Sequence, residues 1–359
     1  MAQEGATVQR TPKRGRSEMG RYIAKRLLIA LATLFVILLV LFLLLTLMPG
    51  SPFNNEEKLS PDQIAALKAH YGLDKPVVER FFLYVWNMLH GDFGVSYSIQ
   101  TNMPISSMVG PRIWTSVSIG LEAGMLGALV GVVLGIIAAL RQRTGWDTAA
   151  TIVAVLGVSL PSFVFALALS YFLGYKAKMF PIIFDTTHPF ISSVLPVIAL
   201  SMFTLASVER YTRSEMVSIM ESDFMMLAKS KGLPKAKLVI HHALRNTLIS
   251  VITVLVPLLV SLMTGSLVIE KIFSIPGLGS LYITAIQSND YNVVLAISFI
   301  YSVMFILAML LMDVLYVIID PPGSVSREAD SHGSADNGNG TGHAPGRGWK
   351  ALQTEHRTA

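Results

Sequence analysis

Cysteine is absent from all 359 residues, so the chain has no disulfide framework, thiol nucleophile or thiolate metal site, and its redox compartment stays open. Charge is scarce too. Asp, Glu, Lys and Arg make up 14% of the residues, against about 25% in soluble proteins, which excludes an ordinary soluble domain and makes a nucleic-acid partner unexpected. The sequence contains no GxxxxGK[ST] phosphate loop, GxSxG elbow or HExxH zinc helix. Neither ATP hydrolysis nor hydrolysis of a cargo is therefore expected of this chain, and it is expected to hold no cofactor of its own. His241-His242 resembles metal chemistry only superficially, because adjacent residues of a helix point in different directions and no third ligand accompanies them.

What the chain has in quantity is apolar sequence: 52% hydrophobic residues and a mean hydropathy of +0.57. A helix crossing the hydrocarbon core needs about 20 apolar residues at about 1.5 Å each. Six segments meet that length: 27–47, 112–141, 148–175, 189–208, 246–269 and 291–312. Apart from Arg112 and Arg141, which bound the second, Glu122 is the one charged residue within them. Prolines at 161, 196 and 257 are compatible with spans, since neighbouring helices and Ser/Thr side chains can satisfy the freed backbone groups. The expected fold class is an all-α integral membrane protein with six transmembrane helices. The first span runs into Met48-Pro49-Gly50 without a small-x-small cleavage site, so it is expected to remain as an anchor rather than be removed as a signal peptide.

Basic residues orient the spans. With the N-terminus in the cytoplasm, twenty Lys and Arg fall inside and eight outside. The net charge of +5 thus reports topology rather than an anionic partner. The organisation that follows is a cytoplasmic segment 1–26, a first span 27–47, an extracytoplasmic segment 48–112, a core 113–320 with five spans and a cytoplasmic loop 209–245, and a tail 321–359. That tail is rich in Gly, Ser, Asn and His and reads as disordered and cytoplasmic.

Between the first two spans, Ser60-Pro61 reads as a capped helix start, continued by Ile64, Leu67 and Lys68. A second helix is expected from Pro76 to Leu89, with Val77, Phe81, Tyr84, Val85 and Met88 on one face, lying on the membrane surface or packing on the spans. In the loop 209–245, Ser222 or Asp223 can cap a short helix on which Phe224, Leu227, Ala228 and Lys231 share a face. Gly232 suits a left-handed stop, and Pro234 prevents continuation. A further amphipathic helix carries Ala236, Val239, Ile240, Ala243 and Leu244. From periodicity alone this loop reads as a projecting knob or, somewhat more readily, as a basic segment anchored to lipid headgroups. Glu122 is costly in a span and is expected to line a path or to pair with a neighbouring helix; Asp313, near the inner boundary, is expected to be structural.

The knob resembles the cytoplasmic EAA loop (Glu-Ala-Ala-x-x-x-Gly) of bacterial ABC importer permeases. Met226-Leu227-Ala228-Lys229-Ser230-Lys231-Gly232 keeps the second alanine and the glycine, with methionine at the acidic position. Further segments are similar to the peptide-permease B branch in the same order: Tyr22-Ile23-Ala24-Lys25-Arg26-Leu27-Leu28, Met48-Pro49-Gly50, Tyr71-Gly72-Leu73-Asp74-Lys75-Pro76 and Gly91-Asp92-Phe93-Gly94-Val95-Ser96-Tyr97. After the loop come His242-Ala243-Leu244-Arg245-Asn246, Glu270, Phe273 with Pro276-Gly277-Leu278-Gly279, Asp290-Tyr291, and Asp313-Val314-Leu315-Tyr316 with Asp320-Pro321. The resemblance spans about residues 20 to 322.

It implies the type I ABC importer permease fold, with an extra N-terminal helix and a small extracytoplasmic helical segment, in a bacterial inner membrane. It also implies a homologous C-type permease as partner, two cytoplasmic ATPases that bind ATP and magnesium, an extracytoplasmic substrate-binding protein, and surrounding lipid. On this resemblance Asp223, Phe224, Leu227, Ala228, Lys229, Lys231, Gly232 and Leu233 form a coupling helix and its stop, docking on one ATPase, with Asp223 or Glu221 standing in for the missing acid. Glu122 becomes a candidate for the substrate path. The implied cargo is an oligopeptide or dipeptide, with nickel complexes, glutathione or oligosaccharides as alternatives in the same branch and an ion-coupled secondary transporter as a rival mechanism.

Overall fold

The computed structural model describes residues 15–47, 53, 60–263 and 266–319, with backbone alone at 15–20, 22–23 and 313–319. The segment 1–14, the Met48-Pro49-Gly50 end of the first span, the stop at Asp320-Pro321-Pro322-Gly323, the tail 321–359 and the side chain of Asp313 lie outside what is described. Residues Met1–Asp313 form one compact unit, and a second begins at Val314, of which 314–319 are described as helix.

The described elements are helical: α1 (Gly15–Leu47), α2 (Pro61–His70), α3 (Val77–Leu89), α4 (Ile105–Leu140), α5 (Gly145–Ser159), α6 (Ser162–Leu169), α7 (Pro189–Met220), α8 (Asp223–Ser230), α9 (Lys235–Lys237), α10 (Arg245–Met263), α11 (Leu267–Ile272), α12 (Leu278–Gln287) and α13 (Tyr291–Ile319). Five stretches among them are long and apolar enough to cross a bilayer: Ala24–Leu47, Ile105–Leu140, Pro189–Met220, Lys235–Ile272 and Tyr291–Met312. The segment expected as one helix over 148–175 is instead two. α5 and α6, the latter continued by a π-helical stretch Ser170–Lys176, are bent by 107°. Pro161 has no N–H and forces Leu160 out of the helical region, to φ −85° and ψ 126°. Pro111, Pro196 and Pro257, by contrast, stay inside α4, α7 and α10. The fifth segment is also divided, because α10 stops at Met263 and α11 restarts on Ser266, whose Oγ accepts the Ile269 N–H at 3.4 Å.

α4 and α7 form the centre, and α5, α6 and α10 pack on α7. Small residues let the central pair approach. A Cβ on Gly127, Gly131 or Gly135 would lie 2.7 Å from the carbonyl oxygen of Ser201, Leu205 or Glu209 respectively, so only glycine fits along this face. Gly120 and Gly124 play the same part toward Leu259 and Leu262 of α10. In lipid, where burying apolar side chains between helices gains little over contact with acyl chains, close backbone approach is the main source of helix association.

Two buried carboxylates fasten the end of the bundle that carries the N-termini of α4 and α13. Asp290, fully buried, accepts hydrogen bonds from Ser96 Oγ (2.5 Å) and from the N–H groups of Tyr97 (3.2 Å), Ser98 (3.0 Å) and Ile99 (3.2 Å). It thereby pins the 91–104 loop to the start of α13. Glu270 accepts from Ser116 Oγ at 2.7 Å and from the Ser280 N–H at 2.9 Å, while Ser116 Oγ accepts the Leu278 N–H at 2.8 Å. Gly277 leaves the room this carboxylate occupies at the N-terminus of α12, where the helix dipole favours negative charge. The motif Pro276-Gly277-Leu278-Gly279 is thus a cradle for Glu270.

The helix start at Ser60 forms as a full capping box, with Gln63 N–H donating to Ser60 Oγ and Ser60 N–H donating to Gln63 Oε1. In α3 the expected stripe turns inward: Phe81 and Met88 are buried, with Tyr84 and Val85 beside them, against Leu34, Leu38 and Phe42 of α1 and Leu295 of α13. Val77, at the end of that stripe, stays exposed. Gly131→Leu is expected to lower stability in detergent by about 1–3 kcal/mol or more through overpacking, read as a fall in the thermal unfolding midpoint. Gly145→Ala, where an added Cβ meets nothing within 4 Å, leaves that midpoint unchanged.

Candidate coupling surface

α7 does not end with its apolar run at Val208 but continues through Glu209, Arg210, Arg213 and Glu215 to Met220. The chain then turns at Glu221–Ser222 into α8. Ser222 occupies the N-cap in extended geometry, yet its hydroxyl donates back to the Ile219 carbonyl at 2.6 Å rather than capping α8. The helix stops at Lys231, and Gly232 takes φ +75°. A Cβ there would meet nothing within 4 Å, so the demand for glycine is conformational: a left-handed residue with a side chain costs about 1–2 kcal/mol.

Burial divides the expected residues into two sets. Ala228 is buried and Leu233 partly so, packed with Met216 of α7, Ala139 of α4, Leu238 and Ala243. Lys229 turns back, its Nζ donating to the Met220 carbonyl at 3.4 Å. Asp223, Phe224, Leu227 and Lys231 face outward, with Phe224 45% and Leu227 59% exposed. The shared face expected for Phe224, Leu227, Ala228 and Lys231 is therefore split, since Ala228 lies on its inner edge. Two methionines complete the picture, Met226 noted from the sequence only as the departure at the acidic position and Met225 not singled out at all. Met225 is the fully buried anchor of α8, and Met226, at the motif's acidic position, is exposed. The i, i+3 spacing of Met225 and Ala228 was the available signal.

The second amphipathic helix departs from its expected pattern. After the single turn α9 comes a π-helical stretch, Leu238–Leu244, running into α10. With the wider turn, Leu238 and Ala243, five apart, are the buried pair, while Ala236 and Ile240 are exposed.

The same end of the bundle holds a clamp that the sequence showed only as charge. Arg213 of α7 donates from Nε to Asp147 Oδ1 at 2.7 Å and from Nη2 to Oδ2 at 3.0 Å, and the Arg143 N–H adds a third bond to Oδ2 at 2.9 Å. This bidentate pair, whose carboxylate is almost fully buried, ties the α4–α5 turn to α7. Glu209, one turn before Arg213, is 1% exposed, and neither of its oxygens has a hydrogen-bond partner among the described residues.

Glu122 lies far from this knob, at the middle of α4, because the helix begins at Ile105, ahead of Arg112. Its side chain is exposed, and Oε2 accepts from Ser193 Oγ of α7 at a long 3.4 Å. No group of three or more His, Cys, Asp or Glu residues able to hold a metal occurs among the described residues, His241 and His242 included.

A bundle centred on two long, glycine-packed helices, with a rigid amphipathic knob at one end, is the architecture of a multi-pass permease subunit. Family comparison agrees: residues 131–322 match the binding-protein-dependent transport system inner membrane component, and residues 19–118 match the N-terminal model of the same membrane component. The chain belongs to this family of ABC importer permeases. Among its relatives, it is 41% identical over 84% of its length to the dipeptide transport system permease protein DppB of Lactococcus lactis, of which 99% is covered. It is 39% identical over the same share to DppB of Bacillus subtilis, with 97% covered. To the oligopeptide transport system permease protein OppB of Haemophilus influenzae it is 36% identical, again over 84%, with 99% covered. Among solved structures, a methionine ABC transporter in inward-facing conformations matches 59% of this chain and 96% of its own at a TM-score of 0.47 and 12% identity, too distant to add to the assignment.

Met225→Ala removes the buried anchor, a change that costs about 2–5 kcal/mol in a packed site. It is expected to raise hydrogen exchange of the amides of α8 while those of α4 and α7 keep their protection. Met226→Ala is expected to leave all three helices unchanged.

Proposed function

We propose that this chain is the B-type permease of an ATP-driven peptide importer. It forms the translocation path with a homologous C-type permease, receives cargo from an extracytoplasmic binding protein, and couples through α8 to one of two cytoplasmic ATPases that bind ATP and magnesium. The chain itself performs no catalysis. Peptides are the cargo favoured by the dipeptide and oligopeptide systems to which its relatives belong. The excess of basic residues on one side supports an N-terminus and C-terminus in the cytoplasm, with α8 on the same face.

The observation that carries this proposal is the two-sided character of α8. Its inner side is locked to α4 and α7 by Met225, Ala228 and Met216, whereas Phe224, Met226 and Leu227 present apolar surface outside the long apolar stretches. A helix fixed to the core on one side and docked in a moving partner on the other transmits that partner's rotation to the spans; a flexible loop would absorb it. Gly232 sets the corner that aims the exposed face. Asp223 and Lys231 flank that face, and Asp223, or Glu221 just before it, supplies the negative charge in place of the missing acid. Glu122, an exposed acid in an apolar helix, is the residue proposed to face the path, because an ionised group at that depth needs a polar cavity or a partner.

The test is uptake of a labelled dipeptide by the whole transporter in vesicles, together with co-purification of the ATPases. Phe224→Asp with Leu227→Asp is expected to reduce both at least about tenfold, as loss of interface anchors does. Gly232→Pro abolishes uptake while the permease still inserts in the membrane. Normal uptake in these variants, or uptake by this chain alone driven by an ion gradient, would overturn the proposal.

A further inference from the structure

The 107° bend between α5 and α6 lies well inside the membrane. Asp147, in the first turn of α5 and bonded to Arg213, marks the charged edge of the apolar segment. Leu160 lies thirteen residues beyond it, a rise of about 20 Å in a hydrocarbon core about 30 Å thick. Beside the bend, Gly157 packs on α7 within its apolar stretch: a Cβ there would lie 2.9 Å from the Met202 carbonyl oxygen and 2.8 Å from the Ala206 Cβ.

The bend frees backbone acceptors at that depth. The last backbone bond of α5 runs from the Leu160 N–H to the Leu156 carbonyl at 3.0 Å, and α6 begins with the Val164 N–H on the Pro161 carbonyl, also at 3.0 Å. Pro161 has no N–H to offer the Gly157 carbonyl, and among the described residues no backbone bond crosses the bend to the carbonyls of Val158 and Ser159. Acyl chains cannot satisfy such groups, so irregular backbone persists in a bilayer only where protein buries it or water reaches it. This chain does not bury it, because residues 158 to 164 are all exposed. A cavity of about 220 Å³ opens at the bend instead, bordered by Gly157, Val158, Leu160, Pro161, Ser162 and, from α7, Phe203 among others. Two residues with freed carbonyls and one with a hydroxyl thus border one hollow, and a bound water needs about two to four such polar partners.

We infer that the bend at 157–162 is part of the wall of the water-filled translocation path, and that the carbonyls of Gly157 and Val158 accept hydrogen bonds from the N–H groups of the passing peptide. The inference rests on the reading of this chain as a peptide importer permease and adds a cargo contact to it. Backbone acceptors suit that cargo. Every peptide residue except proline carries an N–H, so the contact is indifferent to the cargo's side chains, and the C-terminal end of a helix favours a cationic amino group. A helix of another chain covering the bend would need donors of its own aimed at these carbonyls, whereas water and a peptide bring theirs with them. Discontinuous helices serve transporters in this way, their unwound backbone meeting the transported species near the midplane.

The absence of cysteine from the chain makes the test direct. Val158→Cys, Ser162→Cys and Val40→Cys, the last at an exposed position in the apolar run of α1, are each placed in the whole transporter in nanodiscs. A charged, water-soluble methanethiosulfonate reagent is added, and its attachment is read from the mass of this chain. Thiols react as thiolates, which hydrocarbon and packed protein suppress. The Val158→Cys and Ser162→Cys thiols are therefore expected to react at least about tenfold faster than that of Val40→Cys, and an excess of the dipeptide alanyl-alanine is expected to slow them. Rates no faster than that of Val40→Cys would overturn the inference, since the bend would then lie in lipid or under another chain; so would fast rates that the dipeptide leaves unchanged. ATP-driven uptake of a labelled dipeptide is measured in vesicles with the same unreacted variants and with wild type. No uptake by wild type would sink the importer reading itself, whereas normal uptake beside unreactive thiols sinks only the path-wall assignment. The two sites are read independently, so one that fails to insert leaves the other decisive.

Discussion

The close approach of α4 to α7 is the constraint on which the rest of the subunit depends. Three glycines one helical repeat apart bring the backbone of α4 to within contact of successive carbonyls of α7. In a bilayer no hydrophobic gain drives this pairing, so the contact must be won by shape, and it tolerates no side chain larger than hydrogen. α5, α6 and α10 all pack on α7, and α8 follows directly on its last turn. A displacement between the two central helices would therefore be felt at both ends of the molecule.

The two ends are fastened by different chemistry. At the end bearing α8, apolar packing around Met216 and Met225 is joined by the bidentate Arg213–Asp147 clamp. At the other, the buried carboxylates of Asp290 and Glu270 are satisfied almost wholly by backbone N–H groups and serine hydroxyls. A buried carboxylate with several such donors holds loops in one arrangement, because moving any strand of the loop leaves charge unsolvated. The loops at that end are thus held in one arrangement, as α8 is held by its packing on α4 and α7.

Much of this was legible beforehand, for identifiable reasons. Span positions followed from apolar length, the Ser60 cap from the Ser-Pro-x-Gln pattern, and the stop at Gly232 from a glycine followed closely by proline. Where expectation failed, a local feature was outweighed by one beyond the reach of periodicity. Pro161 broke a segment that Pro111, Pro196 and Pro257 did not break in their own helices. The π-helical stretch at 238–244 shifted the buried positions by one residue relative to a 3.6-residue pattern. The face of α8 was assigned by grouping Phe224 and Leu227 with Ala228, whereas Met225, a residue equally apolar, is the one that the core takes up.

The amino-acid sequence by itself determined that this chain is a multi-span helical membrane protein, and its ordered motifs sufficed to suggest the family. Those properties rest on composition, run length and local turn chemistry, all of which act over a few residues. Only the tertiary structure decided which motif residues are locks and which are surfaces. Asp290 meets Ser96 across nearly two hundred residues, Glu270 meets Ser116 across more than a hundred and fifty, and Phe224 is exposed because Met225 is not. Pairings across such separations are set by which helices pack together, and α4 packs on α7 and α10 through glycines that have no chemistry of their own.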